Sequence, residues 1–161
     1  MKLQIIDMDN CLCDDEWRIP FILWQKTNPM ERYHHYHMLG AFDKAANKDV
    51  LLPKGVEIVI LTARPVFYAA ATTEWLKRNH IAHKHLMMRN NNDHRPSRAV
   101  KETMLQALLQ HSEYEVKKEN IIMAYDDHAG IIDMYKANGI PATQLSIHST
   151  SAYAPHEKAQ S

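Results

Sequence analysis

Charge of one sign is what this 161-residue sequence lacks: lysine plus arginine number 19, and aspartate plus glutamate also number 19. That balance removes the electrostatic footprint of a protein that grips a long polyanion or a membrane surface, and leaves short or nucleotide-sized partners compatible. No stretch approaches the roughly 20 consecutive apolar residues needed to cross a bilayer. The first residues also lack the basic-then-apolar layout of a secretory signal, so no membrane association and a cytoplasmic location are expected. The two cysteines, Cys11 and Cys13, stand too close in sequence for an ordinary structural disulfide and are too few for a tetrahedral zinc site. They are read as reduced thiols. Internal repeats and low-complexity tracts are also missing.

The chain length fits one domain, residues 1–161, with one modest insertion. Residues 3–8 (LQIIDM), 57–61 (EIVIL) and 120–125 (NIIMAY) are apolar and β-branched enough for short buried strands. Weaker strands are predicted at 85–88 and 143–147. Between them lie helical patterns, one through Phe67, Ala71 and Trp75, another through Val100, Met104, Ala107 and Leu108, and a third through Ile131, Ile132 and Tyr135 that Asn138-Gly139 should end. Strands alternating with helices predict right-handed βαβ units and hence an α/β fold, a Rossmann-like three-layer sandwich with a central parallel sheet.

Residues 13–53 break the alternation, with tryptophans, a helical pattern over 30–42 and no strong strand signal. They are expected to form a small helical cap inserted at about 14–53, with Asp14 and Asp15 leading into it. The HHYH run at 34–37 invites a zinc reading, but no second ligand cluster has suitable spacing, and His34 and His37 fit one helix face. Trp17, Trp24, Tyr33 and Tyr36 either stack on a base or form the insertion's own core. Residues 90–98 (NNNDHRPSR) form a polar loop flanked by Arg89, Arg95 and Arg98, which either contact a second phosphate or are simply solvated.

In a parallel sheet, residues just beyond the strands' C-terminal ends gather along one edge, where α/β proteins bind ligands. That edge would collect Asp7 and Asp9, Thr62 and Arg64, and Asp126 and Asp127. Carboxylates converging in a crevice repel one another, and a hard, oxygen-preferring cation such as Mg²⁺ relieves this and attracts phosphate.

IIDMDNC, VILTARP, KETML and IIMAYDD occur in that order, and together they resemble the four signature motifs of the haloacid dehalogenase (HAD) superfamily of aspartate-nucleophile phosphatases. Within it, TARP followed by a Trp-bearing helix, then MRNNNDHRPSRAVKETML and AYDDHAGIIDMYKANGI, is similar to the 3′-phosphatase half of phage polynucleotide kinase-phosphatases. The G-x-x-x-x-G-K-[ST] loop of those enzymes' kinase half has no counterpart here, so the resemblance implies phosphatase activity alone. Asn10 and Cys11 stand where most relatives have a small residue and Thr or Val, and Asn tolerates the unusual backbone angles such a loop needs.

The resemblance implies that Asp7 attacks phosphorus and forms an aspartyl-phosphate, while Asp9 serves as general acid and then general base. It implies Mg²⁺ as cofactor, held by Asp7, the Asp9 backbone carbonyl and Asp126, with Asp127 orienting a water or Lys101. Thr62 and the Ala63 amide would bind the phosphoryl group, Lys101 would offset its charge, and Arg64, Arg89 and Arg95 would contact this or an adjoining phosphate. Lys77, Lys84 and Arg98 are other cations able to stand in for Lys101. The implied substrate is a 3′-phosphorylated polynucleotide end. A mononucleotide is the alternative, and a catalytically silent binding module on the same fold is an alternative of another class.

Overall fold

The computed structural model describes residues 1–149; most of the stretch after His148, polar in its sequence and expected to fray, lies outside the described residues. The central sheet is formed by β1 (Leu3–Ile6), β4 (Glu57–Pro65), β5 (His85–Arg89), β6 (Ile121–Asp126) and β7 (Ala142–Gln144). These five strands run parallel in the order β5-β4-β1-β6-β7, which places β1 at the centre. Alternate side chains serve opposite faces, as the period of a strand requires. Leu3, Ile5, Val59 and Leu61 pack under α4 (Ser97–Gln110) and α5 (Ala129–Ala137), whereas Ile6, Ile58 and Ile60 meet Trp75 and Leu76 of α3 (Ala69–Arg78) and Leu51 of α2 (Lys48–Leu51). The protein is a Rossmann-type α/β fold with a parallel sheet covered on both faces.

Helix ends follow local chemistry. The Asn28 side chain accepts from the Met30 amide at the start of α1 (Pro29–Leu39), with Pro29 in the first turn where its missing N–H costs nothing. As expected, α5 stops at Asn138, and Gly139 follows at φ +75°. Three other expectations need correction. The last strand covers Ala142–Gln144 and not 143–147, because Leu145 turns away after its amide bonds the Asp126 carbonyl. The buried face of α3 is set by Tyr68, Thr72, Trp75 and Leu76, one residue out of phase with the expected pattern, and Phe67 is 62 % exposed.

The third correction concerns residues 13–53. They carry a two-stranded antiparallel ribbon, β2 (Cys13–Asp14) with β3 (Lys44–Ala45), whose two-residue strands are too short to leave a periodic signal. A 3₁₀ helix (Glu16–Phe21) precedes α1, and α1 passes into a second 3₁₀ turn (Gly40–Phe42). Tyr33 and Tyr36 form this segment's own core with Ile22, while Trp17 and Trp24 stay partly exposed at 44 % and 37 %. Asp15, which leads into this segment just before Glu16–Phe21, is buried and joins Tyr36 Oη to His148 Nε2, each at 2.5 Å. No helix among the described residues is long and apolar enough to cross a membrane.

Candidate active site

β1 runs out at Ile6, so Asp7 emerges from the middle of the sheet with its amide donating to the Tyr125 carbonyl at 3.1 Å. Asp126 leaves β6 alongside it. Lys101, from the buried side of α4, places its Nζ 2.7 Å from Asp7 Oδ1 and 2.5 Å from Asp126 Oδ2. Of the cations offered by the sequence, Lys101 is the one lodged in the site. Burial opposes its charge, yet Asp126 and Asp7 hold its ammonium well above the ordinary lysine range.

Asp7, Asp126 and Asp127 each bring a carboxylate oxygen to one point, all within 4.8 Å of one another. Burial first, then repulsion from Asp126, push the Asp7 carboxyl up to about 7, against the pull of Lys101. Burial, then repulsion from Asp7 and Asp126, raise Asp127 well above the usual carboxylate range. Three acids crowded beside one ammonium suit a hard divalent cation, and HAD-family phosphatases generally use a divalent metal. Asp127 Oδ2 accepts from Asn10 Nδ2 at 3.2 Å, while the Lys101 ammonium donates to Asp7 and Asp126.

Asn10 has φ +60°, the left-handed region that asparagine tolerates, and so turns the chain sharply after Asp9. Its Oδ1 accepts from the amides of Ile147 (3.0 Å) and His148 (2.9 Å), and its Nδ2 also donates to the His148 carbonyl at 3.0 Å. The segment after β7 is thereby strapped onto the loop that carries both aspartates.

The Asp9 side chain does not join the acidic cluster. It faces Arg18, whose Nη2 donates to its Oδ1, and Arg64, whose Nη2 lies 2.6 Å and Nε 3.1 Å from it. Burial opposes ionisation, but Arg64 and Arg18 hold this carboxyl far below the ordinary range. Arg18 is fully buried and continues to Asp43, with Nε at 2.9 Å and Nη2 at 2.7 Å from its oxygens. The two guanidiniums approach so closely around Gly40 that a Cβ there would lie 3.3 Å from Arg64 Nη2 and 3.4 Å from Arg18 Cζ. Arg18 and Asp43 went unmarked in the sequence; a lone arginine within the aromatic run WRIPF was their signal.

β4 slips its register against β5 between Thr62 and Pro65, and the two extra residues bring Ala63 and Arg64 to the site edge. Thr62 is 1 % exposed, and its Oγ1 accepts from the Arg64 amide at 3.2 Å. Arg89 is turned inward as a brace, donating to the carbonyls of Ala63 (2.9 Å), Asp93 (3.0 Å) and Arg95 (2.6 Å) and to Ser97 Oγ (3.1 Å). Arg95 lies outside this group and pairs with Asp93 at 2.7 Å, which draws the Asp93 carboxyl down to about 2. His34 and His37 share one helix face, against Tyr68.

The parallel sheet, with Asp7, Asp126 and a buried lysine at its carboxyl edge, defines the chain as a phosphatase of the haloacid dehalogenase type. The family model described as the polynucleotide kinase PNKP phosphatase domain matches residues 1–148, and the chain belongs to this family. A search of curated proteins finds no match. Two similar solved structures are chains of a Pnkp1/Rnl/Hen1 complex, with TM-score 0.62 and 20% identity over 89% of this chain, and of the Pnkp1/Rnl/Hen1 RNA repair complex, with TM-score 0.62 and 17% identity over 91%. The chain spans less than half the length of those two, 45% and 43%. A HAD hydrolase of family IA, variant 3, from Entamoeba histolytica HM-1:IMSS shares the fold with TM-score 0.63 and 11% identity, covering 93% of this chain and 86% of that one.

Proposed function

We propose that this phosphatase removes a 3′-phosphate from polynucleotide ends, with Asp7 as nucleophile and Mg²⁺ as cofactor. The observation that carries the reading is the Lys101 ammonium seated between Asp7 and Asp126, in a chain of the polynucleotide kinase PNKP phosphatase domain family. Two similar Pnkp1 chains come from complexes with Rnl and Hen1, one described as an RNA repair complex, which supports a nucleic-acid end as substrate. The balanced charge of this chain favours a second reading, a mononucleotide as substrate.

In the first displacement an Asp7 oxygen bonds to phosphorus as the bond from phosphorus to the nucleotide oxygen breaks, and Asp9 gives that oxygen a proton. In the second, water attacks the aspartyl-phosphate and Asp9 takes the water's proton, releasing inorganic phosphate and restoring the Asp7 carboxylate. The double arginine clamp suits Asp9 to this second step. Protonating it for the first requires one guanidinium to withdraw, and a substrate phosphate competes naturally for Arg64. The Thr62 hydroxyl and Ala63 amide bind the phosphoryl oxygens, and Lys101 offsets the charge that builds there. Arg89 acts by holding the Ala63 carbonyl, and Arg95 offers a contact at the cleft's outer edge.

Asp7, Asp126 and the Asp9 backbone carbonyl would hold Mg²⁺, with Asp127 beside them. Bound there, the ion would neutralise the crowded carboxylates and polarise the phosphoryl group. Residues 14–53 are read as a cap on a single domain, and the compartment as cytoplasmic, supported by the two free, buried thiols.

The test is phosphate release from 3′-phosphorylated oligonucleotides, 3′- and 5′-mononucleotides and an aryl phosphate, with Mg²⁺ or chelator, for the wild type and Asp7→Asn. Release from the oligonucleotide that needs both Mg²⁺ and Asp7 is expected. Release from mononucleotides but no oligonucleotide would move the reading to a nucleotidase, and no Asp7-dependent release at all would overturn the assigned site.

A further inference from the structure

Between α1, residues 63–65 and residues 89–96 lies a cavity of about 260 Å³. Its wall contains Arg32, Arg89 and Arg95 and no aspartate or glutamate, while Met30, Tyr33 and Pro65 supply apolar surface. Arg89 spends its bonds on neutral oxygens, so its positive charge is not cancelled by a contacting carboxylate. A cavity of this make-up suits an apolar ring joined to an anion.

One residue of that wall is unfinished. His37 is 5 % exposed, and its Nδ1 is buried without a hydrogen-bond partner. Neither ring nitrogen bonds to the protein among the described residues, although Tyr33, Tyr36 and Tyr68 pack around the ring. Native structures rarely leave such a group unsatisfied without a functional reason. A neutral imidazole offers one donor and one acceptor, the complement of a hydroxyl, which is both. The ring also lies within electrostatic reach of Asp9, the group assigned above to the leaving oxygen.

We propose that His37 receives the hydroxyl on the carbon next to the one that bears the leaving oxygen, so that the site favours a ribonucleoside 3′-phosphate end over its 2′-deoxy counterpart. The inference rests on the 3′-phosphatase reading. With the 3′ oxygen at Asp9, the 2′ oxygen sits on the adjoining ring carbon, and His37, which lines the cavity and feels the charge of Asp9, is the unpartnered group offered to it. Only a ribose carries a hydroxyl there, and a 2′-hydroxyl is the group by which proteins separate RNA from DNA. A site built to bond a hydroxyl discriminates against the analogue lacking it, because its own polar atom is then left unpaired.

The test compares kcat/KM for two oligonucleotides with 3′-phosphates that differ only in a terminal ribose or deoxyribose. For the wild type a preference for ribose of about tenfold or more is expected. His37→Phe, which keeps a flat ring but no polar atom, should bring the ratio close to one, while His35→Phe on the exposed side of the same helix should leave it as in the wild type. His37→Gln retains a donor and an acceptor and should keep part of the preference, so a folding defect in the Phe variant does not end the test. An independent readout is the ¹⁵N shift of the His37 ring in Asp7→Asn protein, expected to move on adding a ribonucleoside 3′-monophosphate and not its deoxy analogue. A wild-type ratio near one with both oligonucleotides cleaved, or a ratio that His37→Phe does not change, overturns this inference alone. Turnover of aryl phosphate with neither oligonucleotide cleaved overturns the 3′-phosphatase reading and this inference with it.

Discussion

Arg64 reaches back from the end of the second strand of the sheet and lays its Nη2 2.6 Å from Asp9 Oδ1, across 55 residues of sequence. Arg18 closes on the same oxygen from the other side and extends to Asp43. Asp9 is thus a buried anion whose direction is set by two cations, and neither cation touches Asp7.

Arg18 acts through Asp9 as a positioning residue. Arg18→Met leaves buried Asp43 with only the Trp17 Nε1 donor at 2.9 Å and a longer contact to Arg64 at 3.8 Å, and leaves Asp9 to Arg64 alone. Removing one partner from such a buried group typically costs about 3–5 kcal/mol, which urea unfolding should report. The same variant should lose about 10²-fold or more in kcat, the scale of a misplaced acid–base group. Arg18→Lys restores the charge without the planar fork, so it should recover stability more than turnover. A variant with wild-type stability and turnover would contradict the clamp.

Cation affinity should depend on pH through Asp7. Its carboxyl is pushed from 3.8 up to about 7 in the metal-free protein, mainly by burial and Asp126. Only the ionised form binds a cation, so Mg²⁺ affinity should be flat above this value and weaken below it, approaching tenfold per pH unit. The stability contribution has a definite sign as well. A raised carboxyl binds its proton more firmly in the folded chain, so its contribution is fully present below 3.8 and is lost as pH rises through about 7. Added Mg²⁺ should offset that loss on the alkaline side. Calorimetric titration from pH 6 to 8, with melting curves with and without Mg²⁺, checks both signs.

Asn10→Gly keeps the left-handed turn available and removes the side-chain bonds to Ile147, His148 and Asp127. Faster amide exchange is expected at His148, and less at Ile147, whose amide also donates to the residue-10 backbone carbonyl at 3.1 Å, with weaker Mg²⁺ binding as Asp127 loses this donor. Asn10→Ala should be worse by about 1 kcal/mol or more, since a Cβ without a local hydrogen bond is strained at φ +60°. Unchanged exchange in the glycine variant would show that the strap is held elsewhere.

The positions of Asp7 and Asp126 at the sheet edge were legible in the sequence because each ends a short apolar run, and a buried parallel strand delivers the residues just beyond its C-terminal end to that edge. Lys101 was legible chiefly through the resemblance of KETML to a family motif, since a helical lysine by itself carries no sign of its partners. Arg18, Asp43, Asp15 and His37 were not legible as site residues. His37 lies in α1, whose pattern gives no sign of the cavity it lines, while Arg18, Asp15 and Asp43 lie among short 3₁₀ turns and two-residue strands, where no periodicity separates an inward from an outward side chain. Their positions are set by ion pairs and hydrogen bonds to residues far along the chain, such as Arg18 with Asp43 and Asp15 with His148. The phase error on the helix after β4 has a similar origin: the 3₁₀ turn at Val66–Tyr68 rotates the helix so that Tyr68, and not Phe67, faces inward.

The Asn10 amide grips the chain at His148 with one hand and Asp127 with the other, which makes the C-terminal exit of this fold a lever. Strain applied at Ile147 or His148 is delivered to a carboxylate of the acidic cluster, whereas strain applied at Lys2 enters at the opposite end of the central strand. A fluorophore placed on each of these two segments should therefore perturb cation binding unequally, and the segment around His148 is where such a reporter would sense the site.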